Sequence, residues 1–231
     1  MQTKDETQEG GFLQKPIARL SFLKYAGASM AAAGLLMAGC KKDSGTTVDE
    51  GINLGSGDVG ILNYAYALEQ LEAAFYTQVI ATPYFGMSSA ELLILGDLKK
   101  HEIAHRDFFK AAIGTAAIPS LVVNFTSIDF NNRASVLATA KAFEDLGVSA
   151  YNGAGKLIVD VNYLLLAGKI VSVEARHAAA IRDLINPGSA DFSGDDVIIG
   201  GLDGARTPQQ VLSIASAYLT TKLNANNLPT S

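Results

Sequence analysis

Two short stretches carry chemistry. HEIAHRDFF, residues 101–109, sets Glu102 three residues before His105, and VEARHAAA, residues 173–180, sets Glu174 three residues before His177. Residues three apart on a helix share a face, so a carboxylate and an imidazole can reach one centre from one helix. That donor pair suits iron, manganese or zinc better than copper(I). The chain holds 3 histidines, and glutamate is about 4 % of it. Finding a glutamate at this spacing before two of the three is roughly a half-percent coincidence. A single such pair would read as solvated side chains on a helix surface. The duplication reverses that reading.

The duplication goes further. EQLEAAFY places Glu69 seven before Tyr76, and EDLGVSAY places Glu144 seven before Tyr151. Each Glu–Tyr pair is followed about thirty residues on by a Glu–x–x–His, so one helical hairpin is written twice. Together they supply four carboxylates and two imidazoles, which balance two divalent cations. By symmetry each metal takes one histidine and one terminal glutamate, Glu69 or Glu144, while Glu102 and Glu174 bridge. Without metal, buried carboxylates repel, so metal or protons are needed to hold the site.

Four neighbours have open roles. Glu72 lies one turn from Glu69 and is either an extra ligand or a carboxylate just outside the metals. Its repeat mate is Gly147, so symmetry assigns it no place. Tyr76 and Tyr151 are either hydrogen-bond donors to the metal carboxylates or core aromatics. His101 lies four before His105. Nothing in the repeat requires it, and it reads as solvent-exposed.

These residues need long helices to position them. Apolar periodicity predicts helices over about 58–81, with Asp58 as N-cap, 89–113, with Ser88 as cap, 132–158 and 161–185. Gly147, Gly153 and Gly155 weaken the third. The first and second, and the third and fourth, are joined by short turns and so form antiparallel hairpins. Between the hairpins lies TAAIPSLVVNFTSIDFNN. Eighteen extended residues can span roughly 60 Å, and a 25-residue helix is about 38 Å long. This segment can therefore run the length of a bundle. After Pro187 comes a loop, then TPQQVLSIASAYLTTKL, a short fifth helix with Thr207 as cap and Pro208 in its first turn. The fold expected is all-α: a four-helix bundle of two antiparallel hairpins joined by one long crossover, with a short C-terminal helix.

This layout resembles the ferritin-like superfamily. NYAYALEQLEAAFYTQ, HEIAHRDFF and FEDLGVSAYNGA resemble the bacterial ferritin-like-domain family that includes desiccation-related plant proteins. The resemblance covers about residues 57–222. It implies a dimetal site of two iron ions, or manganese, held by Glu69, Glu102, His105, Glu144, Glu174 and His177.

The N-terminus reads separately. KPIARLSFLKY is a basic stretch, and AGASMAAAGLLMAG is an apolar run too short to span a bilayer, ending at Cys40. A membrane anchor is the alternative to an export signal. LMAGC resembles the lipobox of bacterial lipoproteins, which implies removal of residues 1–39 and a lipid on Cys40. RLSFLK resembles the twin-arginine export motif, with Leu20 in place of its second arginine. Residues 40–56 then form a flexible tether, and 57–231 the ferritin-like domain. The expected location is the periplasmic side or surface of a bacterial membrane.

A net charge of −5 without a basic stripe argues against nucleic acid. A lone cysteine excludes an intrachain disulfide and a rubredoxin-like electron donor. Three functions stay open. The first is a redox enzyme in which iron or manganese reacts with dioxygen or peroxide, as a ferroxidase, a peroxidase or a catalase, in oxidative or desiccation stress. The second is metal sequestration without turnover. The third is a structural or stress-protection bundle with a non-catalytic or empty metal site. The loops 82–88 and 186–206 are the expected covers of the site.

Overall fold

The computed structural model describes residues 50–230. The expected export signal, the expected lipidation site Cys40 and most of the expected tether lie outside the described residues. Four long helices dominate: α1 (Gly57–Ala81), α2 (Ser89–Ile113), α3 (Arg133–Gly155) and α4 (Val161–Ile185). α1 packs on α2, and α3 on α4, as the two expected hairpins. Among the described residues no helix is long and apolar enough to cross a membrane.

The helix starts follow local chemistry. The Ser88 side chain accepts from the Glu91 amide while the Glu91 carboxylate accepts from the Ser88 amide, a reciprocal capping box. Asn132 caps α3, and Asp160 caps α4. Asp58 is not the cap of α1. Ser56 occupies that position, and Asp58 lies in the first turn. Its carboxylate instead accepts from the Val159 and Asp160 amides, each at 2.8 Å. Those donors at the start of α4 would otherwise lack partners. The bond pair ties the α3–α4 turn to the N-terminal end of α1. α3 closes at Gly155, a few residues before the end expected from periodicity.

The crossover runs along α1, as its length allows. After a 3₁₀ turn at Gly114–Ala116, Asn63 donates to the Ala116 carbonyl and accepts from the Ile118 amide. One helical stretch further on, Gln70 accepts from the Leu121 amide at 2.9 Å. Phe125 and Phe130 then reach the ring of Phe75 at 6.1 and 6.0 Å. Finally Phe85, beyond the end of α1, donates its amide to Asn131. The buried amides Asn63 and Gln70 thus satisfy backbone groups that have no ladder of their own. With the crossover on its outer side, α1 is buried almost continuously from Gly60 to Ala73.

The fifth helix, α5 (Pro208–Ala215), begins with a capping box between Thr207 and Gln210. It is shorter than its sequence pattern, passing into a 3₁₀ turn at Ser216–Tyr218 and then into extended chain. There β4 (Leu223–Asn224) pairs in parallel with β1 (Ile52–Asn53) beside the start of α1. The segment before α5 holds a small hairpin, β2 (Ile198–Ile199) with β3 (Leu202–Asp203). Gly200 and Gly201 both take positive φ, 61° and 82°, as a tight two-residue hairpin turn requires. Arg182 of α4, buried, pins this segment through Asp196 at 2.6 Å and holds Asp145 of α3 at 2.7 Å.

Gly153 explains one glycine of α3. A Cβ there would lie 1.7 Å from the Arg206 carbonyl oxygen. The chain before α5 therefore lies directly on the helix, with the Arg206 amide donating to the Ser149 carbonyl at 2.9 Å.

Candidate metal centre

All six residues singled out by the duplicated motif meet inside the bundle. Glu69 comes from α1, Glu102 and His105 from α2, Glu144 from α3, and Glu174 and His177 from α4. The four carboxylates are fully buried. Their atoms form two overlapping groups. Glu69, Glu102, His105 and Glu174 offer donor atoms within 4.8 Å of one another, and so do Glu102, Glu144, Glu174 and His177. Glu102 and Glu174 belong to both groups, the shared position that repeat symmetry requires.

The distances are those of donors converging on common points. His105 Nδ1 lies 2.9 Å from Glu174 and 3.4 Å from both Glu69 and Glu102. His177 Nδ1 lies 2.7 Å from Glu102, 3.2 Å from Glu174 and 3.4 Å from Glu144. One ring nitrogen cannot direct a hydrogen to three carboxylates. Among the described residues Glu69 Oε2, both oxygens of Glu102, Glu144 Oε2, Glu174 Oε1 and His105 Nδ1 have no hydrogen-bond partner, although they are buried. Buried polar atoms without partners are costly and rare. A cluster of acceptor atoms of this kind fits cations of the hard or borderline type.

The electrostatics agree. Burial, then the nearby charge of Glu174, pushes Glu69 well above the usual carboxylate range. Glu144 is pushed up to about 8, mainly by burial. Burial would lower both imidazoles, but the carboxylates packed around them raise His105 and His177 to about 12. Burial would raise Glu102 too, but the two histidines bring it down to about 2. Protons therefore hold the cluster together when no cation does, the alternative expected from four mutually repelling carboxylates.

Both tyrosines are donors to the cluster as well as buried aromatics. Tyr76 of α1 donates to Glu144 of α3, and Tyr151 of α3 donates to Glu69 of α1. Burial first, then the adjacent carboxylates, keeps both phenols protonated far above neutral pH. Glu72 is buried beside the cluster but contributes to neither converging group. The ideal Cβ position of Gly147 is 3.3 Å from Glu72 Oε1, so the glycine leaves room for this carboxylate. Even a methyl group at 147 would press on that carboxylate.

The sequence reading of His101 was incomplete. It is exposed, but its Nδ1 lies 2.9 Å from His177 Nε2. The loops 82–88 and 186–206 make their bonds elsewhere: Ser88 with Glu91, and Asp196 with Lys141 and Arg182. Of the six clustered residues His105 is the most exposed.

Fold and site together define an all-α bundle with a carboxylate–imidazole cluster in its core, one that could hold metal ions. A family model for the ferritin-like domain matches residues 57–187, more than half of the chain. The chain belongs to the ferritin-like domain family. A search of curated proteins finds no match.

Proposed function

We propose that this protein is a dimetal-carboxylate protein of the ferritin-like class that binds two iron ions, or manganese, and reacts with dioxygen or peroxide. The observation that carries the reading is the set of buried, unpartnered carboxylate oxygens shared between two donor groups. On this reading Glu69 and His105 would hold one ion, Glu144 and His177 would hold the other, and Glu102 and Glu174, common to both donor groups, would serve both. Bound iron or manganese in such a site supplies electrons to dioxygen or peroxide.

The chain's own residues do the rest. Tyr76 and Tyr151 each occupy one oxygen of a terminal carboxylate, leaving the other free for metal. His105 is the least buried member of the cluster, with 13 % of its side chain exposed. The lipid on Cys40 holds the domain at a bacterial membrane, on the periplasmic side or cell surface, where the function is protection against oxidative or desiccation stress.

The test is metal content. Full-length protein from cells supplied with iron and manganese should carry about two such ions per chain by mass spectrometry, as dimetal bundles of this design do. Glu102→Ala/His177→Ala should carry none. Wild-type protein that folds fully and takes up no metal would overturn the reading and leave a structural bundle.

A further inference from the structure

We propose that His101 is a positioning residue that makes the two halves of the metal centre unequal. It holds His177 on the cluster, while among the described residues His105 has no equivalent support. The inference rests on the dimetal reading above and deepens it.

The two imidazoles are related by the repeat but differ in surroundings. His177 presents Nδ1 to Glu102, Glu144 and Glu174. A neutral imidazole that gives its Nδ1 lone pair to a metal carries its hydrogen on Nε2. In this protein that Nε2 lies 2.9 Å from His101 Nδ1. The two ring planes are 11° apart with centroids at 5.1 Å, as suits an in-plane N–H···N bond. His177 is then the donor and His101 Nδ1 the acceptor, which puts the hydrogen of neutral His101 on Nε2.

The repeat mate of His101 is Val173, the residue before Glu174 as His101 is the residue before Glu102. Valine has no group that could accept from His105. His105 is also the more exposed, at 13 % of its side chain against 4 % for His177. One imidazole is thus locked in tautomer and orientation, and among the described residues the other is held by the cluster alone. Loss of such an outer partner of a metal-bound histidine weakens metal binding by about 10–100-fold. In this chain the loss falls on the His177 position alone.

The test uses Co(II), whose visible d–d bands report binding without turnover, titrated into metal-free full-length protein. Wild type should bind two equivalents. His105→Ala should leave one, at the His177 position. Adding His101→Ala should weaken that remaining equivalent about 10–100-fold. Adding His101→Gln instead, whose amide oxygen can accept from Nε2, should restore it. In a His177→Ala background, His101→Ala should change nothing. If the His105→Ala variants fail to fold, the single His101→Ala variant must weaken one of two binding phases and spare the other.

Unchanged affinity in His101→Ala would overturn the proposal. So would equal weakening of both phases, which would mean that His101 supports the bundle as a whole. Wild-type protein that binds no cobalt would overturn the dimetal reading itself, an outcome visible before any variant is made.

Discussion

Tyr76 of α1 gives its phenolic hydrogen to Glu144 of α3, on the other hairpin. Tyr151 returns the bond to Glu69 of α1. The two hairpins are therefore stitched together through the same carboxylates that form the candidate centre. Fold and site share one set of bonds. Tyr76→Phe leaves a buried carboxylate oxygen unsatisfied, which costs about 1–3 kcal/mol. For a domain of this size that lowers the melting temperature by several degrees, since each kcal/mol is worth about 2–4 °C. Thermal melts of metal-free protein check this. Tyr151→Phe should behave alike.

Stability of the metal-free protein should fall as pH rises. His105 and His177 are raised to about 12 from an ordinary 6.5. Their contribution is complete below 6.5 and is lost as pH climbs toward 12. Glu144 is raised from 4.5 to about 8, so its contribution is complete below 4.5 and disappears by about 8. Glu102, lowered to about 2, works in the opposite sense and loses its contribution only as pH drops from 4.5 toward 2. The metal-free form should therefore melt highest near pH 4.5 and progressively lower toward pH 8. Metal binding displaces these protons, so affinity should increase with pH. Chemical denaturation at several pH values, with and without metal, measures both trends.

Glu72 should prove dispensable for metal. It is buried, it lies outside both converging groups, and burial followed by the neighbouring carboxylates raises it well above the carboxylate range. Glu72→Gln keeps its shape and removes a titratable group. Metal content should stay at that of wild type, and the metal-free protein should gain stability at pH 8. A drop to one ion per chain would make Glu72 a ligand.

Gly153→Ala should destabilise the protein and not the centre. The added methyl would sit 1.7 Å from the Arg206 carbonyl, so the chain before α5 must move. Overpacking of this kind costs about 1–3 kcal/mol. Melting should fall while metal stoichiometry holds.

Much of this protein could be read in one dimension, because helices are local. The spacing of Glu102 and His105, or of Glu174 and His177, already places each pair on one helix face. The Glu–Tyr repeat announces a duplicated hairpin, and the length of the crossover permits only a few bundle connections. Caps at Ser88 and Thr207 were visible for the same reason, since a cap bonds within its own first turn. What spacing cannot carry is contact between residues distant in the chain. That Asp58 binds the Val159 and Asp160 amides, that Tyr76 reaches Glu144, and that His101 meets His177 are outcomes of how two hairpins dock. The small strands were hidden too, because two-residue pairings follow from where the tail lands and not from any alternating pattern. Local spacing determined which residues could share a centre. Packing decided which of them also have a neighbour that holds them there.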